Sequence, residues 1–114
     1  MGDSTNLAKA SIRFLSLNKL QALTLEREVI GASQSKHFKN DCYVGCVTLM
    51  DDNLEDIVHF FIRQQLKIDD CDLFISVFSD LDSNIVDVPN LVNRMLKYID
   101  CRLTFSYTVA EDDI

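Results

Sequence analysis

Apolar residues recur along this chain with two different periods, and the two periods take turns. Leu103, Phe105, Tyr107 and Val109 alternate with Thr104, Ser106 and Thr108, the period of two that marks an extended strand with one buried face. Leu54, Ile57, Val58, Phe61 and Ile62 instead stand at i, i+3, i+4, i+7 and i+8, a single stripe along a helix. A chain that switches between these patterns has to bury helix stripes against sheet faces.

The other segments extend the alternation. Ile12 and Phe14 share a face opposite Ser11 and Arg13, which predicts a strand over 10–17. Residues 19–30 read as a helix closed by Gly31, with Leu20, Leu23 and Ile30 on its apolar side, although Leu23, Leu25 and Val29 also fit a strand. Residues 32–41 are polar, hold Lys36, His37 and Lys39, and read as a surface loop. Val44, Val47 and Leu49 place a central strand over 43–50. Asp52 and Glu55 have the spacing of a capping box for a helix over 54–66. Leu73, Ile75 and Val77, with Phe74 and Phe78 on the other side, predict a strand over 73–78. Residues 80–87 are a polar connection. Pro89 suits a first helical turn with Asp87 as its cap, followed by Val88, Leu91, Val92, Met95 and Ile99 at helical spacing. The predicted order is strand, helix, strand, helix, strand, helix, strand. It implies one α+β domain over 1–114: a two-layer α/β sandwich with a mixed four-stranded sheet and two or three helices.

Charge narrows the partners. The formal net charge is −7, divided as six Lys and Arg against four Asp and Glu in residues 1–50 (+2) and five against fourteen in 51–114 (−9). An acidic chain repels phosphates, so no nucleic-acid partner is expected, whereas a basic protein partner would be steered towards it. No stretch approaches the ~20 apolar residues of a membrane span, and residues 1–10 lack a signal-peptide pattern, so no membrane partner and a cytoplasmic location are expected.

Few residues offer chemistry. Cys42 and Cys46, if extended, lie about 13 Å apart along one face, beyond the limit of about 7 Å for a disulfide. With Cys71 and Cys101 they are expected to be reduced thiols without metal. Gly2, Gly31 and Gly45 are too scattered to cradle a phosphate. His59 is expected on a solvated helix face, and His37 in a solvated loop. The pairs Asp51–Asp52, Asp69–Asp70 and Asp112–Asp113 suit caps and turns. Asp80, Asp82 and Asn84 alternate like ion ligands but lack the glycine bend and distal glutamate of a calcium loop. No catalytic, cofactor-binding or metal residue is assigned, and no cofactor is expected.

What remains is surface. Phe60 lies about 130° from the centre of its stripe at roughly 100° per residue, and Phe74 and Phe78 occupy the second face of their strand. Phe60, Phe74 and Phe78 are therefore the candidate interface, most simply of a homodimer.

The run from Asp72 to Ser79, a polar loop, the helical segment from Pro89 to Tyr98 and the strand around Phe105 together resemble the C-terminal half of certain small bacterial domain-of-unknown-function proteins. The chain also resembles products of integron gene cassettes. It has no Trp, where that family carries one in its second strand. The resemblance implies an α+β fold and a bacterial cell. Together the readings lead to an expected non-enzymatic protein–protein interaction module, with a small-molecule-binding domain or minor enzyme, its pocket between sheet and helices, as the alternative.

Overall fold

The computed structural model describes residues 7–37, 41–79 and 88–109. The chain opens with β1 (Leu7–Leu17), α1 (Lys19–Glu28), β2 (Ala32–Lys36) and β3 (Tyr43–Thr48). It continues with α2 (Leu54–Arg63), a short 3-10 turn at Ile68–Asp70, β4 (Cys71–Ser79), α3 (Asn90–Leu96) and β5 (Arg102–Val109). The class is the expected α+β. The sheet has five strands in the order β2-β3-β1-β4-β5, antiparallel except for the parallel pair β4 and β5. The first four strands and two helices follow the split β-α-β-β-α-β order of ferredoxin-like sheets, to which α3 and β5 add one parallel crossover.

The additional strand is β2, within the segment read as a loop. It pairs antiparallel with β3, from Ala32 beside Val47 to Lys36 beside Tyr43. Ala32 and Gln34 turn towards the helical side, and only Ala32 is apolar, so Ala-Ser-Gln-Ser-Lys carries no apolar period to detect.

Cross-strand register fixes the covered face. Phe14 lies beside Cys71 and Gly45, Ile12 beside Leu73 and Val47, and Ala10 beside Ile75. These residues, with Val77, meet Ala22 and Leu25 of α1, Leu54, Ile57 and Phe60 of α2, and Val92 and Met95 of α3 in one core. All three helices therefore lie on one side of the sheet. Gly45 shows how closely: a Cβ there would run into the side chain of Leu25, so any larger residue would have to displace that side chain of α1.

Two local expectations are corrected. The capping box belongs to α1, where Asn18 Oδ1 accepts from the Gln21 amide (2.8 Å) and Gln21 Oε1 accepts from the Asn18 amide (2.9 Å). Asp52 lies exposed in the turn before α2, and Asn53, at the N-cap position, makes no side-chain cap bond. Asn53 is instead fully buried. Its amide donates to the Ile30 and Thr48 carbonyls (2.8 and 2.9 Å), and its oxygen accepts from the Met50 amide (2.9 Å). It ties the segment after α1, the end of β3 and the turn into α2 together through three backbone groups.

The second correction is the rotation of α2. Phe60 is wholly buried, its ring 5.5 Å from that of Phe14, while Ile62, expected in the stripe, is exposed. Leu54, Ile57 and Phe60 form the inward face, and Val58 and Phe61 are half-buried at its margin. Turning by about 70° from the expected orientation, at roughly 100° per residue, lets the helix bury an aromatic ring in place of an isoleucine, the larger apolar gain. Phe60 is core and leaves the candidate interface.

Candidate interaction surface

Strand β5 ends one side of the sheet. Leu103 stands beside Leu73, Phe105 beside Ile75 and Tyr107 beside Val77, and neighbours in register project from the same face. Yet Leu73, Ile75 and Val77 are 0, 1 and 5% exposed, whereas Leu103, Phe105 and Tyr107 are 41, 57 and 44% exposed. The helical layer covers β4 and stops short of β5. The apolar stripe of Leu103, Phe105 and Tyr107, expected to be buried, is thus partly exposed, while the seven-residue α3 delivers Val92 and Met95 to the core. Among the described residues no strand lies beyond β5.

Among the described residues the opposite sheet face carries no helix, and it holds a polar cluster. The Arg13 guanidinium grips both carboxylate oxygens of Asp72, and the Thr104 hydroxyl donates to the same carboxylate at 2.7 Å. Arg13 also lies over the Phe74 ring, 4.5 Å from its centroid. Burial by itself would raise the Asp72 carboxyl, but the Arg13 and Thr104 hydrogen bonds and the charges of Arg13 and Arg102 outweigh it, and its pKa lies below the ordinary value. The cluster links β1, β4 and β5 and so anchors the edge strand to its sheet.

The predicted interface residues are thus separated. Phe74 is half-buried under Arg13, Phe78 is exposed further along the same open face, and Phe60 lies across the sheet in the core. The signal for Leu103 and Phe105 was present as alternation, but alternation does not say which of two faces a helix will cover.

Elsewhere the side chains are occupied structurally. All four cysteines are free thiols. Burial pushes Cys71 up to about 12 and Cys101 up to about 11, so both stay protonated and poorly nucleophilic at neutral pH. The Cys71 thiol donates to the Lys67 carbonyl, and the half-buried Cys42 donates to Leu15. The His37 amide donates to the Cys42 carbonyl at 2.9 Å, which closes the β2–β3 hairpin. Asp69 and Asp70 belong to the 3-10 turn. Asp80, Asp82, Asn84, Asp87, Asp112 and Asp113 lie outside the described residues. Among the described residues, no three His, Cys, Asp or Glu side chains converge as a metal site would require, and no helix is long and apolar enough to cross a membrane.

A cleft of about 850 Å³ opens between α2 and α3, not between the helices and the sheet. Asp51, Glu55, His59, Arg94, Lys97 and Tyr98 line it, and Arg94 bonds Asp51 across its mouth at 2.7 Å. The exposure of this ion pair leaves it little energetic weight. No known protein family, curated protein or solved structure matches the chain.

Proposed function

We propose that this chain is a non-enzymatic protein–protein interaction module whose docking element is the edge strand β5. One observation carries the reading: at registers where β4 buries Leu73 and Ile75 almost completely, β5 holds out Leu103 and Phe105 on an edge with no described neighbour. An exposed, apolar edge strand is a template for another strand, since backbone bonds supply affinity and alternate side chains supply selectivity. The net charge of −7 favours steering by a basic partner surface, and a bacterial, integron-cassette setting belongs to the same proposal.

A small-molecule reading draws on the cleft between α2 and α3, whose volume is adequate. Its walls are mostly charged, unlike the largely apolar linings of ligand pockets, and this ranks it second. Affinity purification followed by quantitative mass spectrometry tests the choice, with wild type, Phe105→Asp and Leu20→Asp as baits. Leu20 is an exposed apolar residue far from β5 in sequence, on α1. Proteins retained by wild type and Leu20→Asp but lost by Phe105→Asp are expected. Identical capture by all three baits would contradict the proposal.

A further inference from the structure

We infer that Cys71 and Cys101 form a site of reversible oxidation, a cross-strand disulfide that an oxidant of the peroxide class closes and that fastens the edge strand β5 to β4. The inference concerns how β5 is held, and it stands whatever docks on that strand.

Register carries the geometry. β4 and β5 run parallel from the pair Asp72 and Arg102 onwards, and Cys71 and Cys101 each stand one residue before that pair. Neighbouring strands lie about 4.8 Å apart, inside the range of about 4.4–6.8 Å between Cα atoms that a disulfide spans. Side chains alternate along a strand, so both cysteines turn away from the open face that holds Asp72. Both belong to the core, 1 and 7% exposed, and Cys71 stands in register beside Phe14, itself a core residue. Two free thiols thus share one face and one level on adjacent strands. The Cys101 amide bonds the Ile99 carbonyl at 2.9 Å, so moving Cys101 towards Cys71 breaks no ladder bond of its own amide.

The other two cysteines are placed apart from this pair. Cys46 stands in register with Arg13 and so shares the open face, and Cys42 precedes β3, its thiol donating to the Leu15 carbonyl.

Electrostatics support the contact and order the chemistry. Burial raises the Cys71 thiol most, and the charge of Cys101 raises it further, with Asp70 and Asp72 adding to both. Burial also raises Cys101, joined by Asp72 and Asp100 and opposed by Arg102. Cys101, at about 11 against about 12 for Cys71, yields its thiolate more readily and is the attacking member. Its sulfur attacks one peroxide oxygen, the O–O bond breaks, and the departing hydroxide takes up the Cys101 proton as water. The Cys71 sulfur then attacks the resulting sulfenic sulfur, and the S–S bond forms as the hydroxyl leaves with the Cys71 proton as a second water. The two sulfurs give up two electrons and the peroxide accepts them. Cys71 exchanges its bond to the Lys67 carbonyl for the new link.

The consequence falls on the strand that the helices leave least covered. A link at the start of β5 closes the connection through α3 into a loop, which removes freedom from the unfolded chain and holds β5 against β4.

Peroxide treatment of the native protein tests the inference, followed by denaturation, alkylation and peptide mass analysis. Wild type should keep two of its four thiols, with Cys71 and Cys101 joined. Cys46→Ser should form the same link, and Cys71→Ser and Cys101→Ser should form none. The linked wild type should unfold several degrees above the reduced chain, and dithiothreitol should return it to the lower temperature. Four free thiols in treated wild type, or a link made through Cys42 or Cys46, would overturn the site. A linked chain that melts no higher than the reduced one would overturn its role as a fastening.

Discussion

The two edges of this sheet are opposite solutions to the same exposure. At one end β2 is short and polar and turns only one apolar residue, the small Ala32, towards the core. At the other, β5 repeats the apolar alternation of its neighbour β4 in register, but the helices end before reaching it. The same pattern is core in β4 and surface in β5. An apolar period records that a strand has one greasy side, whereas coverage depends on how far the packed layer extends, a property of the helices and their connections.

The largest effect should separate a covered aromatic from an uncovered one. Phe60→Ala removes a fully buried ring packed at a tilt against Phe14 and should cost about 3–5 kcal/mol in denaturant unfolding. Phe105→Ala, measured at dilutions where association does not contribute, should cost under about 1 kcal/mol, in keeping with an exposed site. Equal losses would erase the distinction between the two sides of the layer's boundary.

A smaller effect separates Asn53 from Asp52. Asn53→Ala leaves the Met50 amide and the Ile30 and Thr48 carbonyls without their partner, and should cost about 2 kcal/mol. Asp52→Ala, in an exposed turn, should change stability by less than about 0.5 kcal/mol. A reversed order in urea melts would return the cap to Asp52.

The smallest effect concerns how β5 is fastened. The folded-state pKa of Asp72 lies below its unfolded value, so its ionised form stabilises the fold above about pH 4, the ordinary aspartate range, and this contribution is lost as pH falls through the folded value. Stability should therefore decline on the acid side, and the gap between wild type and Asp72→Asn should narrow as pH falls. A gap that stays constant with pH would remove the Arg13–Asp72–Thr104 cluster from the account.

Much of the architecture is readable in the residues, for identifiable reasons. Ile12 with Phe14, and Leu73 with Ile75 and Val77, mark strands because a strand's two faces meet different surroundings. Pro89 and the spacing of Val92, Met95 and Ile99 mark α3. The helix over 19–28 was ambiguous because Leu20 and Leu23 are exposed and only Ala22 and Leu25 within it turn inward. Its Asn18–Gln21 box was a local signal that could have resolved it. Strand β2 was invisible for want of apolar residues. The candidate surface is the least legible part: Phe60 is surplus to its stripe only under one helix rotation, and the alternation of Leu103 and Phe105 marks a buried face only for a core whose width no local pattern encodes.

The central claim is that β5 is an open, pairing edge and β2 a closed one. Amide hydrogen exchange of the two strands, followed as the proteins retained by the wild-type bait are titrated in, compares them within one molecule. The account predicts that protection along 102–109 rises with the titration while that along 32–36 stays constant. Unchanged exchange in both strands, or protection gained in β2 instead, would contradict it.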